Sequence, residues 1–135
     1  MITATLDKQL MVTVDNKVGT LADIADIIAS KGINLIAICA YAVDNKGFIM
    51  LVSEDNKNAQ RLLEAEGFAV REEDVVIATL DNKPGQLRKM CDAIANAGID
   101  LTLLYGSVEK EGQTSNLILV SEDNRTVLTV VRMMK

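Results

Sequence analysis

The sequence predicts an α+β protein of two similar units, each an antiparallel sheet with two helices on one face. Three observations predict this. The phrase DNKVGTL at 15–21 returns 66 positions later as DNKPGQL at 81–87. The run GINL at 32–35 returns at the same offset as GIDL, and VSEDN occurs at 52–56 and again at 120–124. Colinear matches of this kind indicate a duplicated unit, and the order of elements in each copy, β-α-β-β-α-β, is the ferredoxin-like arrangement.

Each copy begins with a β-rich run, 10–14 or 75–80, which ends at an Asp-Asn-Lys turn. A helix follows, because apolar residues recur at i, i+3, i+4 and i+7. These predicted core faces are Leu21, Ile24, Ala25 and Ile28 in the first copy, and Leu87, Met90, Cys91 and Ile94 in the second. Gly32 and Gly98 follow these helices as C′ residues.

Strands are then predicted at 33–43 and 99–108, and their hairpin partners at 48–53 and 116–121. The second copy is two residues longer in the loop between these strands, where a length change is tolerated. The second helices pack through Ala59, Leu62 and Leu63 in the first copy, and through Val127, Val130 and Val131 in the second, where the helix runs on to Lys135. A last strand at 68–72 is found only in the first copy, and REED at 71–74 is interpreted as a solvated linker.

The predicted domains are 1–72 and 73–135, and the second lacks its own last strand. We hypothesise that Ile2–Leu6 fill the vacant edge, within the chain or across a dimer, because an open edge invites aggregation. A frayed tail at 1–6 is the alternative. The predicted strand at 33–38 has apolar residues on both faces, with Ile33, Leu35 and Ala37 on one face and Ile36 and Ile38 on the other. A second sheet, from the other repeat or another chain, is therefore expected to cover the face without helices.

Composition excludes several classes of function. A net charge of −5 and four aromatic residues disfavour nucleic-acid binding, including an RNA-binding version of this fold. Histidine is absent, which removes His-based catalysis and His-ligated metals. No cofactor and no catalytic residue is predicted. The chain has no apolar run of 18 residues and no secretory signal, so we expect a cytoplasmic protein with free Cys39 and Cys91 and no membrane contact.

The duplicated pattern of strand, Asp-x-x-(Pro)-Gly-x-Leu, helix, Gly-Ile-(Asn/Asp)-Leu and strand resembles the ACT domain, most closely at 74–106. Two copies across nearly the whole chain are similar to stand-alone tandem ACT proteins. The resemblance implies a regulatory module, without enzymatic activity, that binds a small molecule, most often an amino acid, between paired domains. It further implies a homodimer and a regulated enzyme as partner. Val18 and Asp100 depart from the usual proline and asparagine.

The resemblance places ligand between the first turn of one domain and the second strand of its neighbour. The implied ligand-binding residues are Asp15, Asn16, Gly19, Thr20, Leu21, Asn34, Leu35, Asp81, Asn82, Pro84, Gly85, Gln86, Leu87, Asp100 and Leu101.

The chemistry of these residue types suits an amino acid. Helix-start amides suit its carboxylate, and Asp or Asn oxygens suit its ammonium. The simpler interpretation is structural, with Asp or Asn as an N-cap, glycine for the turn and proline in the first helical turn. The sequence leaves two alternatives to an amino-acid sensor. The first is a ligand-free scaffold that pairs with another ACT-like unit, and the second, which the lack of histidine disfavours, is an enzyme.

Overall fold

The computed structural model describes residues 2–107 and 113–134, which form six strands and four helices. The strands are β1 (Ile2–Asp15), β2 (Leu35–Val43), β3 (Lys46–Ser53), β4 (Ala69–Asp81), β5 (Leu101–Ser107) and β6 (Thr114–Ser121). The helices are α1 (Thr20–Ala29), α2 (Asn56–Ala65), α3 (Gln86–Asn96) and α4 (Asn124–Arg132). The strand pairs β1–β3, β2–β3, β4–β6 and β5–β6 are antiparallel. The predicted α+β, ferredoxin-like order of elements is confirmed.

Contacts group the chain into two compact units. The first unit is Lys8–Glu73, and the second unit is Met1–Asp7 together with Asp74–Lys135. In the first unit the strand order is β2-β3-β1-β4, and in the second unit it is β5-β6-β4-β1. The domain limits 1–72 and 73–135 remain predictions, because a division by contacts does not test whether either part folds alone.

The core of each unit lies between its helices and one face of its sheet. In the first unit, Leu10 and Val12 of β1 pack with Ile24 and Ile28 of α1 and with Leu63 of α2. In the second unit, the matching positions of β4, α3 and α4 pack in the same way. The helix periodicity correctly predicted the buried residues Ile24 and Ile28 of α1 and Met90 and Ile94 of α3. Leu21 and Leu87, however, are 46% and 48% exposed, and Ala25 is exposed as well, so the predicted place of these three residues in the core is wrong.

The N-terminal segment lies in the second unit, as part of the 14-residue strand β1. Ala4 is 5% exposed in the core of that unit, and Ile2 packs against the same cluster. The Arg132 side chain of α4 donates from Nε to the Ala4 carbonyl oxygen at 2.9 Å. Strand β1 therefore supplies core residues at both of its ends.

The predicted linker REED at 71–74 is wrong, because these residues continue strand β4, which runs from Ala69 to Asp81. Polar contacts explain how an acidic segment is held in a strand. Glu73 accepts a hydrogen bond from the buried Gln9 side chain at 3.2 Å and forms an ion pair with Arg71 at 3.3 Å. A further ion pair joins Lys8 and Glu72 at 4.0 Å.

Strands β2 and β5 begin later than predicted, at Leu35 and Leu101, and each has a register shift two residues on. Such a bulge moves later side chains to the other face. Leu35 packs into the helix-side core, whereas Ala37 pairs with Val52 and Ile38 pairs with the core residue Leu51. The predicted shared face of Leu35 and Ala37 is therefore wrong.

The predicted C′ glycines are confirmed. Gly32 and Gly98 have φ of 70° and 76°. The amides of Ile33 and Gly32 donate to the carbonyls of Ile28 and Ala29, which is the Schellman pattern. At the end of α3, the amides of Ile99 and Gly98 donate to the carbonyls of Ile94 and Ala95 in the equivalent pattern.

Some sequence-based expectations fall outside the described residues. These are the end of the strand at 99–108 and most of the longer hairpin loop of the second copy. The predicted extension of the last helix is wrong, because α4 ends at Arg132 with Met133 as its C-cap, and Met134 lies beyond the helix. Lys135 itself is outside the described residues. Among the described helices, none combines the length and the apolar character that a membrane crossing would need.

Candidate functional site

The two duplicated turns begin their helices in an unusual way. Gly19 and Gly85 are the N-caps of α1 and α3, both left-handed with φ of 90° and 89°, and neither helix has a side-chain cap. Helices α2 and α4 instead have Asp55 and Asp123 as N-caps, which accept hydrogen bonds from backbone amides. The simpler interpretation of Asp15 and Asp81 as N-caps is therefore wrong.

The backbone amides at these turns differ in their partners. The amides of Thr20 and Gln86 donate to the carbonyls of Lys17 and Lys83, each at 3.3 Å. The first helical bond of α1 is from Asp23 to Gly19, and that of α3 is from Lys89 to Gly85. Two of the amides expected to bind a carboxylate are thus already engaged within the turn.

In the first unit, residues of the turn line a cleft of about 420 Å³. Asn16, Gly19, Thr20 and Leu21 lie along it. Its opposite wall comes from β2 and β3, through Ala40, Tyr41, Ala42, Gly47 and Ile49. Four of the predicted site residues are therefore brought together between α1 and the sheet.

Asp15 lies in a different cleft of about 380 Å³, with Lys17, Lys46 and Gly67 among its lining residues. Asp15 and Lys46 are paired across β1 and β3, and Lys46 Nζ donates to Asp15 Oδ1 at 2.8 Å. This hydrogen bond and the charge of Lys46 hold the pKa of the Asp15 carboxyl below its ordinary value, and Lys17 adds to the effect. The two lysines could bind the carboxylate of a zwitterion, and the aspartate could bind its ammonium group.

In the second unit, the turn residues share a smaller cleft of about 160 Å³. Five of the predicted site residues line it: Asp81, Asn82, Gly85, Gln86 and Leu87. Leu80 and Leu117 supply apolar walls, and Ser115 and Lys83 complete it. The exposed residue Pro84 is not among these lining residues.

The predicted strand positions do not join the turn residues of their own copy. Asn34 and Asp100 are exposed and precede β2 and β5, so the expectation that they lie within apolar strands is wrong. Asp100 lines a separate cleft of about 370 Å³ with Thr102, Glu122 and Asp123. Leu35 and Leu101 are partly buried against the two cores.

Sequence reasoning missed the residues that the hairpin between β2 and β3 contributes. Lys46 pairs with Asp15, and Tyr41, whose ring stacks on Phe48 at 5.3 Å, lines the cleft beside Leu21. The Asp-Asn-Lys sequence at 44–46 indicates the turn of this hairpin, but it does not indicate that Lys46 pairs with Asp15. Among residues 2–107 and 113–134, no group of three or more acidic or cysteine residues is placed to hold a metal ion.

Comparisons with known proteins agree with this architecture. A family model described as an ACT domain pair matches residues 5–134. The crystal structure of protein BT0572 from Bacteroides thetaiotaomicron superposes with a TM-score of 0.88 at 26% identity, covering 96% of this chain and 88% of that one. Comparison with curated protein sequences finds no match.

Two regulatory subunits of aspartate kinase share the fold. The ligand-free form from Thermus thermophilus has a TM-score of 0.67 at 18% identity, covering 96% of this chain and 94% of that one. The subunit from Thermus flavus has a TM-score of 0.62 at 17% identity, with coverage of 97% and 94%. Since the family model spans nearly all of the described residues, this chain belongs to the family of ACT domain pairs.

Proposed function

We propose that this protein is a regulatory module that binds an amino acid at its strand-to-helix turns and transmits the bound state through ACT pairing. The observation that carries the proposal is the contrast among its helices. Helices α2 and α4 are capped by aspartates, whereas α1 and α3 start at left-handed glycines without a side-chain cap. The starts of α1 and α3 line clefts, and so does the start of α4, but there the Asp123 side chain already occupies a backbone amide. A helix start without a competing side chain suits an anionic group such as a carboxylate.

The test is a thermal-shift panel of the twenty amino acids, followed by calorimetry of those that respond. A ligand at a hundredfold excess over its Kd stabilises the native state by about 2.7 kcal/mol, which raises the melting temperature by several degrees. We expect one or a few amino acids to do so. If no amino acid at millimolar concentration shifts the melting temperature, and calorimetry is flat, the proposal is wrong.

A matched pair of variants locates the binding. Ala22 is exposed and lines the cleft of the first unit, so Ala22→Phe should fill that cleft and weaken binding there. Ala29 is also exposed but lies at the other end of α1, so Ala29→Phe should leave binding unchanged. Equal losses in both variants would argue against the cleft as the site.

A pairing function without ligand is the second candidate, and strand β2 favours it. In its unit β2 lies at the edge of the sheet, and its side chains Ile36, Ile38, Tyr41 and Val43 are each about half exposed. An apolar edge strand with unpaired backbone groups is a template for another strand. We propose that β2 takes part in pairing with a second copy, or with an ACT-like unit of a regulated enzyme.

Light scattering coupled to size exclusion tests this surface. We expect a dimer, and Ile38→Lys should dissociate it, because a charge would be buried at the interface. Ala29 is exposed at the far end of α1, outside β2 and outside the turn, so Ala29→Lys is the control and should remain dimeric. A dimer that forms normally in Ile38→Lys would contradict the proposal. Pairing combined with a flat amino-acid panel would favour the scaffold over the sensor.

The cytoplasmic location expected from the sequence stays a prediction.

A further inference from the structure

The side chain of Gln86 has an unmet hydrogen bond. Among residues 2–107 and 113–134, its Oε1 is the one buried side-chain oxygen or nitrogen without a partner. Buried polar atoms in native proteins are nearly always paired, because an unpaired acceptor loses its water without compensation. A hydrogen-bond donor group from a bound water or from a ligand would complete the pairing of Oε1.

The surroundings of Gln86 indicate what that group is. Gln86 is the first residue of α3 and lines the cleft of about 160 Å³ beside Leu80, Leu87 and Leu117. Asp81 and Lys83 carry opposite charges, so together they offer no net charge to an ionised side chain. A cleft this small lies below the roughly 300–1,000 Å³ of sites for drug-sized ligands. It suits a compact, neutral group with both an apolar part and a hydrogen-bond donor.

The first copy differs at the same position. Thr20 is the counterpart of Gln86, and the cleft that it lines is about 420 Å³, with Ala22, Ala40 and Ala42 in its walls. The first cleft therefore has more room and a different side chain at the start of its helix. The duplicated turns are not equivalent binding sites.

We propose that the cleft beside Gln86 is a side-chain subsite, selective for a small amino acid whose side chain carries a neutral hydroxyl or amide donor, with Gln86 Oε1 as the acceptor. The inference rests on the proposed function, because it assumes that amino acids bind at the turns. It adds the chemical class of ligand and a specificity-determining residue in the second unit.

The binding test uses pairs of similar shape, with and without a donor: L-threonine against L-valine, and L-asparagine against L-leucine. Calorimetry on the full chain should show that the donor-bearing member binds about tenfold more tightly or better. Gln86→Leu should abolish that preference. Gln86→Glu keeps an acceptor and places a favourable negative charge at the helix start, so it should retain the preference. Arg88→Leu, at an exposed position of the same helix, is the control that should also retain it.

A second readout does not depend on ligand. If Oε1 lacks a partner in the free protein, Gln86→Leu should raise the melting temperature of the ligand-free chain by about 3 °C. Arg88→Leu should not. A purely structural role for Gln86 predicts the opposite, a loss of stability on substitution.

The outcomes separate this inference from the proposed function. If no amino acid binds, both are overturned. If amino acids bind but threonine and valine do so equally, or if Gln86→Leu keeps the preference, only the subsite is overturned. A lower melting temperature for ligand-free Gln86→Leu would also overturn it, since Oε1 would then have a partner in solution.

Discussion

At the residue scale, neighbours decide the role of each polar side chain in the duplicated turns. Asp15 and Asp81 stand at the same place in the two copies, yet Asp15 forms an ion pair with Lys46 in one cleft, while Asp81 lines another cleft with Gln86. The repeated sequence thus gives the two turns a similar backbone geometry but different side-chain interactions. The reason is that the neighbours of each aspartate come from parts of the two copies that are less similar in sequence.

The Asp15–Lys46 pair predicts a pH effect. The folded-state pKa of Asp15 lies below its ordinary value of 3.8, so the stability it contributes is fully present above 3.8 and is lost as the pH falls through the folded-state pKa. Lys46→Met should return the pKa of Asp15 toward 3.8, as followed by NMR of its carboxyl carbon. Lys46→Arg should keep it lowered, and because both side chains are exposed, high salt should weaken the shift. An unchanged pKa in Lys46→Met would contradict this cause.

Gly85 gives a second prediction at this scale. Its φ is 89°, and a Cβ built there would meet no atom within 4 Å, so the cost of a side chain is one of backbone conformation. Gly85→Ala should lower the free energy of unfolding by about 1–2 kcal/mol. Gly85→Asn should cost less, because asparagine adopts the left-handed region more readily. Urea unfolding measures both, and an equal cost for the two variants would point to a steric cause instead.

At the scale of elements, the last residue of the repeated VSEDN sequence, an asparagine, links a strand and a helix through hydrogen bonds. Asn56 Oδ1 accepts from the Ser53 amide at 2.9 Å and from the Ser53 hydroxyl at 2.8 Å, while its Nδ2 donates to the Lys8 carbonyl at 2.9 Å. Asn124 makes the matching bonds to Ser121 and Asp74. One amide side chain therefore ties the end of a strand and the start of a helix to a second strand.

We expect Asn56→Ala to lower the free energy of unfolding by about 2 kcal/mol, because it leaves polar groups of Ser53 and Lys8 without their partner. Asp55→Ala removes only the N-cap and should cost about 1 kcal/mol. Chemical denaturation compares the two. If the N-cap variant is the more damaging, the amide of Asn56 is not the main link between these elements.

At the scale of the whole molecule, the N-terminal segment and the last helix meet, 128 residues apart in the chain, at the bond between Ala4 and Arg132. Ala4 is buried among core residues of β4, β6, α3 and α4. The second unit therefore depends on the segment around Ala4 as well as on residues 74–134.

Deleting residues 2–6 should destabilise the second unit more than the first. Hydrogen exchange is the measurement: amides of β6 and α4 should exchange faster, while those of α1 and α2 change little. Ala4→Glu should act in the same direction because it buries a charge, whereas Thr5→Glu, at an exposed neighbouring position, should not. Equal effects on α1 and α4 would contradict this assignment of the segment.

The sequence by itself determined the repeat, the order of elements, the C′ glycines and the buried positions Ile24, Ile28, Met90 and Ile94 of two helix faces. Each of these depends on local periodicity or on the backbone freedom of one residue, both of which can be read from neighbouring positions. It also named Asn16, Gly19, Thr20 and Leu21, and most of the second turn, which do line clefts.

Only the tertiary structure decided which side chains meet. The bulge after Leu35 reverses the faces of β2, the REED segment becomes strand because Gln9 and Lys8 lie beside it, and Leu21 and Leu87 stay exposed at the ends of their helices. Gln86 Oε1 is buried because residues of β4 and β6 enclose the cleft that it lines. These two strands lie about 30 residues apart in the chain. Local sequence patterns carry no information about such distant partners, since those are fixed only when the strands pair and the helices pack.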